Sequence, residues 1–176
     1  PEVSYNNIYN TGSLQSDGSI VQMTRESVEG SEVHHNWFHD SPKSGTRYDA
    51  PVSDPELAGK KGLIHHNVMW NLSKALMIKG DEQQIYNNTC FDNTSNDISV
   101  MYEVYADPPG GSSNGLTITK NNAADKISGH RQNPQTVPGT VSHNIYSTTS
   151  IDYGIKALLN DPDNYDFTPK STSTQL

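Results

Sequence analysis

The stretch HHNWFHD at residues 34–40 returns as HHNVMWN at 65–71 and, more loosely, as IYNNTCFDN at 85–93. Outward from these three runs, the same pattern recurs in EVSYNNIY (2–9), TITKNNAA (117–124) and TVSHNIYS (140–147). The six copies align on Asn6, Asn36, Asn67, Asn88, Asn121 and Asn144. An aliphatic residue precedes each Asn by three positions: Val3, Val33, Ile64, Ile85, Ile118 and Val141. A small polar residue follows by four: Asn10, Asp40, Asn71, Asp92, Asp125 and Thr148. Steps of 30, 31, 21, 33 and 23 residues separate the Asn positions, and recurrence on that scale signals stacked repeats.

Composition agrees with stacking. Only 32% of the 176 residues are hydrophobic, and mean hydropathy is −0.73. A globule of this length usually carries more apolar content, whereas a repeat array needs only a narrow column of it. The turn-forming residues Asn, Ser, Thr, Gly and Asp are abundant. Net charge is −8, with no basic run, so no nucleic-acid partner is expected. No apolar stretch approaches membrane-spanning length, so no membrane partner is expected either. Cys90 is the single cysteine and reads as a small packed hydrophobe.

Each repeat continues into a second run: SIVQMT, GTRYD, ALMIK, ISVMY, SGHRQ and YGIKALL. Short strands separated by turn residues predict an all-β fold, a right-handed parallel β-helix of about six coils. In this reading the Asn residues occupy the tight bends, tolerate left-handed backbone and bond from coil to coil in a ladder. Ile8, Phe38, Met69, Cys90, Ala123 and Tyr146 point inward. In the second run Met23, Tyr48 and Ile78 form an inward row. Gln22, Arg47 and Met77, and in parallel Thr24, Asp49 and Lys79, point outward. The uneven steps place loops at Arg25–Gly30, Ala50–Gly62 and Glu103–Asn114, all on one side. Residues 1–176 read as one domain. Without a recognisable cap at either end, the chain is expected to be a piece of a longer polypeptide whose open ends could pair two copies.

The runs HHNWFHD, HHNVMWN and IYNNTCFDN, followed by GTRYD and ALMIKGD and closed by NDPDNYDFTPKSTS, resemble right-handed β-helix repeats of the pectate-lyase-like carbohydrate-active superfamily. The resemblance covers essentially the whole chain. It implies a secreted or cell-surface protein acting on a polysaccharide or oligosaccharide, by lyase or glycoside hydrolase chemistry. A non-catalytic segment for glycan binding, adhesion or structure is the alternative.

Five groups of residues are candidates for chemistry. Arg47, Asp49, Lys79 and Asp81 fall on adjacent coils. A uronate lyase needs a cation to neutralise a carboxylate and a base to remove the neighbouring proton; Arg47 and Lys79 suit those roles. The same group read structurally is an exposed cross-strand ion pair. Asp49 and Asp81, with Glu82, Asp54 and Glu56 in reserve, would instead be the carboxyl pair of a hydrolase. His34 with His65, and His35 with His66, stack either as a structural ladder or as metal ligands. His39, beside Asp40, could carry a proton. Tyr9, His39, Trp70 and Phe91 form an aromatic row, either core or glycan platform, with Trp37 next to it and Gln22 and Arg25 as further sugar contacts. Asp49, Asp54, Glu56, Asp81 and Glu82 supply hard oxygens that a calcium ion, Ca2+, would need.

Overall fold

The computed structural model describes residues 1–50, 57–101, 115–131, 135–147 and 152–173. Its strands in chain order are β1 (Glu2–Ser4), β2 (Asn7–Tyr9), β3 (Ser19–Thr24), β4 (Glu32–His34), β5 (Trp37–Asp49), β6 (Leu63–His65), β7 (Val68–Ile78) and β8 (Gln84–Tyr86). They continue with β9 (Thr89–Phe91), β10 (Ile98–Val100), β11 (Ile118–Lys120), β12 (Ala123–Ser128), β13 (Thr140–Ser142), β14 (Ile145–Ser147), β15 (Leu159–Asp161) and β16 (Asp166–Pro169). No α-helix occurs among the described residues, and no helix is long and apolar enough to cross a membrane.

Two parallel sheets carry the fold. The first runs β1-β4-β6-β8-β11-β13, each strand pairing with its counterpart one repeat away. The second runs β10-β12-β9-β7-β5-β2, with β3 added on β5 and β14 on β12. The register follows the repeats: Val3, Val33, Ile64 and Ile85 align in one row, and Ile8, Phe38, Met69 and Cys90 in another. Val33, Ile64, Ile85, Phe38, Met69 and Cys90, with Tyr48, Leu76, Ile78 and Ile98, form one buried core, against which the partly buried Val3 and Ile8 pack. The second-run register is the expected one, with Met23, Tyr48 and Ile78 aligned.

The bends between the two sheets are built differently from the expectation. The left-handed residue is the one before the ladder Asn: Tyr5, His35, His66, Asn87, Asn121 and His143, with φ between 53° and 56°. His, Asn and Asp tolerate that region better than most residues, which accounts for five of the six. A second left-handed row, Asn10, Asp40, Asn71 and Asp92, marks the next bend.

The ladder Asn instead supplies the bonds from one repeat to the next. The Asn67 amide donates to the Val33 and His65 carbonyl oxygens at 2.9 and 3.0 Å. Its Oδ1 accepts the Asn36 backbone N–H and side-chain amide, each at 3.0 Å. Asn36, Asn88 and Asn122 repeat this pattern with their neighbours. Asn36, Asn67, Asn88 and Asn122 are all but fully buried.

The fifth repeat therefore turns on Asn122, one residue later than the alignment through Asn121. Ile118 pairs with Gln84, and Thr119 occupies the core row beside Ile85. The inward residue after this bend is likewise Ala124, opposite Cys90, rather than Ala123. The cause is visible in the core: the Thr119 hydroxyl is buried without a partner, so a polar residue holds a position that elsewhere is aliphatic.

The last run departs further. Residues Ile155–Leu158 form a 3-10 turn leading into β15, which pairs antiparallel with β16. This hairpin joins neither parallel sheet. It lies across the outside of the second sheet, where Ile155, Leu159 and Phe167 pack with Phe91, Trp70 and Ile145. Thr148 and most of the two longer insertions, including Asp54, Glu56 and residues 103–114, lie outside the described residues.

Asp97 is a buried carboxyl with a strongly shifted pKa. It accepts from the Asn93 amide at 2.6 Å and the Lys126 N–H at 2.9 Å. Desolvation pushes its pKa up to about 7, and Asp125 adds to the rise. Between the ordinary carboxylate pKa of 3.8 and about 7, the folded chain thus holds a proton that the unfolded chain has lost. Stability contributed by Asp97 falls as pH rises across that window, by at most about 1.4 kcal/mol per pH unit.

Two predictions follow from the interior. Asn67→Ala leaves several buried backbone and amide groups unpaired and is expected to cost about 3 kcal/mol or more in urea denaturation, against about 1 kcal/mol for Asn6→Ala at the exposed end. An equal, small cost at both positions would mean that the ladder bonds contribute little. Asp97→Asn is expected to gain stability relative to wild type as pH is raised from 5 to 8; a constant difference across that range would refute the neutral buried carboxyl.

Candidate functional site

The charged group expected on the second run does assemble, but below the surface. Asp49 and Lys79 were expected to be exposed; they are only 7% and 5% exposed. Lys79 Nζ lies 2.7 Å from Asp49 Oδ1 and donates to the Ala50 carbonyl at 3.0 Å. The other Asp49 oxygen is paired with Arg47, which also pairs with the exposed Asp17. Arg47 draws the Asp17 carboxyl below its usual range, chiefly through that hydrogen bond. A base must offer a lone pair to substrate, and a carboxylate clamp must offer open donors. Here the Lys79 ammonium and both terminal nitrogens of Arg47 already meet carboxylates, and only Arg47 Nε, which is buried, has no partner.

Asp81 stands apart from this cluster. Its Oδ1 accepts the backbone N–H groups of Glu82 and Leu116, both at 2.8 Å, so it fastens a chain reversal. Asp49 and Asp81 are thus held by different partners, the first by cations and the second by backbone N–H groups. Of the calcium set, Asp54 and Glu56 lie outside the described residues. Asp49 oxygens face cations, Glu82 lies 3.9 and 4.0 Å from Lys60 and Lys61, and no His, Cys, Asp or Glu group among the described residues is placed to hold a metal.

His39 is sandwiched between Tyr9 and Trp70, at centroid distances of 5.0 and 4.1 Å. Its Nδ1 meets Asp40 Oδ2 at 2.7 Å and its Nε2 meets Asn7 Oδ1 at 2.8 Å. Both ring nitrogens are engaged and the ring is buried, so it has no open nitrogen for substrate. The aromatic row is real and lies outside the central core. Trp70 stacks on Phe91, and the C-terminal hairpin covers the row with Tyr165 and Phe167. It is therefore a second packed cluster rather than an open platform; of its members only Tyr9 is substantially exposed. Gln22 is exposed on the outward row. Arg25 lies away from it, in a recess formed with Glu26, Glu29, Leu57 and Lys61.

What remains open runs beside the ladder bends. One recess is lined by Tyr5, Asn6, Asn7, His35, Trp37 and His66. A second, on the later coils, is lined by Asn87, Asn121, His143, Thr89 and Ile145 on one side and Leu159, Phe167 and Pro169 of the hairpin on the other. Trp37 stacks on Tyr165 at 5.7 Å and meets Phe167 edge-on. Tyr5, 75% exposed, stacks on His35 at 5.0 Å. The left-handed bend row thus forms the polar wall, and Trp37 with the hairpin forms an apolar one.

Behind that wall the histidine stacks are present as expected. His34 stacks on His65 at 5.1 Å and His35 on His66 at 5.0 Å. Each coil adds a hydrogen-bonded line. Glu2 meets His34 Nε2 at 3.1 Å, and His34 Nδ1 meets His35 Nδ1 at 2.7 Å. Glu32 meets His65 Nε2 at 2.8 Å, His65 Nδ1 meets His66 Nδ1 at 2.8 Å, and the Asn87 amide lies 3.0 Å from His66 Nε2. A carboxylate accepts only, so one proton arrangement satisfies each line: His34 and His65 donate from Nε2, and His35 and His66 donate from Nδ1. The nitrogens facing the recess are then acceptors.

No family model, curated protein or solved structure matches the chain.

The polar wall was overlooked in the sequence, although its signal was there: the residue before each ladder Asn is Tyr, His or Asn throughout. The hairpin cover carried no comparable signal.

The burial of the charged group makes a prediction. Asp49→Ala strands a buried ammonium beside a guanidinium and is expected to cost about 3–5 kcal/mol in urea denaturation. Lys79→Met costs less, because Arg47 still neutralises Asp49. Equal and negligible costs would place both side chains in solvent.

Proposed function

We propose that this chain forms a right-handed parallel β-helix that binds an extended carbohydrate outside the cell, along the bend row beside the asparagine ladder. The coil-on-coil register supports the β-helix reading, and the right hand follows the rule for parallel crossovers. The observation that carries the binding reading is the pairing of an amide- and imidazole-lined wall with the half-exposed Trp37 and the exposed Tyr5. Aromatic faces bury sugar C–H groups, while short polar side chains meet the hydroxyls. The bend row follows the direction in which the repeats stack, with one recess on its early and one on its late repeats, so successive repeats offer similar contacts to successive units of a polymer. The mutual neutralisation of Arg47, Asp49 and Lys79 favours binding without catalysis over lyase or hydrolase chemistry on that face. The resemblance of the repeats to pectate-lyase-like coils agrees with a polysaccharide ligand.

The test is affinity electrophoresis and Trp fluorescence against soluble neutral and uronate-bearing polysaccharides at both pH 7.5 and pH 5.5, with product assays in parallel. Tyr5→Asn keeps a residue that tolerates the left-handed bend and removes the exposed ring. It is expected to weaken binding about tenfold. Failure to bind any member of the panel overturns the reading. New reducing ends or unsaturated products would return the protein to the enzymes.

A further inference from the structure

We propose that His35, His66 and His143 make this groove a proton-gated site for an anionic carbohydrate, holding carboxylate or sulfate groups when the rings are protonated and releasing them when neutral. The proposal rests on the groove being a carbohydrate site.

The lining residues select this ligand class. No Asp, Glu, Lys or Arg lines either recess; the ionisable groups are Tyr5, His35, His66 and His143. The molecule carries a net charge of −8 with histidines neutral, so at neutral pH an uncharged groove sits in a repelling field. Imidazole is the side chain whose charge changes between pH 5 and 8. Acidification therefore turns the groove positive at the bend row, while carboxylate and sulfate groups on the ligand stay ionised.

The hydrogen-bonded lines prepare the rings for this. With His35 Nδ1–H held on His34 and His34 Nε2–H held on Glu2, the proton must enter at His35 Nε2, which faces the recess. The resulting cation has the Glu2 carboxylate behind it, one ring away through His34. His66 has the same backing from His65 and Glu32, but its Nε2 accepts from Asn87, so that amide must turn before the ring can charge. Desolvation, and then the neighbouring His65, His35 and His34, hold the His66 pKa below its usual value. It therefore charges only at lower pH than an ordinary imidazole.

The remaining groups facing these rings are Tyr5 on the first coil and Tyr86 on the fourth, which carries Lys120 over its ring at 5.7 Å. His143 follows Asn121 on the bend row, whose N–H bonds the Ser142 carbonyl at 3.2 Å.

The fold supplies its own control. Asn87 and Asn121 occupy the same bend position with the same backbone, so His35→Asn, His66→Asn and His143→Asn remove the titrating groups and leave a residue this chain already uses there. The probes are dextran, carboxymethyl-dextran and dextran sulfate of equal chain length, measured by affinity electrophoresis and calorimetry from pH 8 to 5. Wild type is expected to gain at least tenfold in affinity for both charged dextrans between pH 7.5 and 5.5, with dextran itself flat and the gain lost in the triple variant. Sulfate and carboxylate arms that differ in strength identify the preferred anion. A gain that persists in the triple variant, or no gain, overturns the gate. Retention of the uncharged or uronate panel at pH 7.5 without any acid effect sinks the gate alone, whereas silence on every probe at every pH sinks the carbohydrate reading with it.

Discussion

One amide bond geometry, repeated along the ladder, holds the two sheets at their common edge. Each ladder Asn donates to its own strand and to the strand of the preceding coil, and its carbonyl takes the backbone N–H of the coil before. A bend with left-handed backbone exposes peptide groups that no strand can satisfy, and burying them unpaired costs free energy comparable to the bonds lost. The Asn side chain closes that account from within the stack. Because the donors and acceptors are shared between coils, a single coil cannot complete its own bends. The same sharing lets a chain with only 32% hydrophobic residues keep a narrow apolar column buried.

This interaction also explains how far the sequence alone carries. Asn36, Asn67 and Asn88 are readable because an inward aliphatic precedes each by three and the residue types around them agree. The fifth repeat defeats that reading for a definite reason. Thr119 fills the core row, its outward neighbour Ile118 is the aliphatic one, and the doublet Asn121–Asn122 offers two ladder candidates. Local pattern favours the first; the core register of the neighbouring coils selects the second. Similarly, the alignment of Asp49 with Lys79 is a local consequence of strand register, whereas the partners that enclose them, Arg47 and the Ala50 backbone, are not given by that register. Alternation along a strand tells which way a side chain points, not what covers it.

The covering hairpin makes the same point on the other face. Tyr9, His39, Trp70 and Phe91 are placed in a row by the repeat, and stacked aromatic rings of that kind serve equally as a packed cluster or as a sugar platform. What decides is a segment some hundred residues distant in sequence, β15–β16, which brings Tyr165 and Phe167 over the row. By closing the row, the hairpin leaves Trp37 at its margin and creates the apolar wall of the groove. A contact of that range has no periodic trace in the sequence.

The bend row joins fold and function through a restriction on residue type. A non-glycine residue in left-handed backbone is best a short polar or imidazole side chain, and the types that meet this demand here are His and Asn, with one Tyr. Those side chains are hydrogen-bonding and, for His, titratable. The row therefore faces the groove with amides, imidazoles and an aromatic ring as a by-product of making the turn. Variation at these positions can exchange Asn for His without disturbing the ladder behind them, so the charge of the groove can be adjusted coil by coil while the stack stays intact. A fold with this bend thus separates the residue that holds the repeats together, the buried Asn, from the residue beside it that faces the recesses.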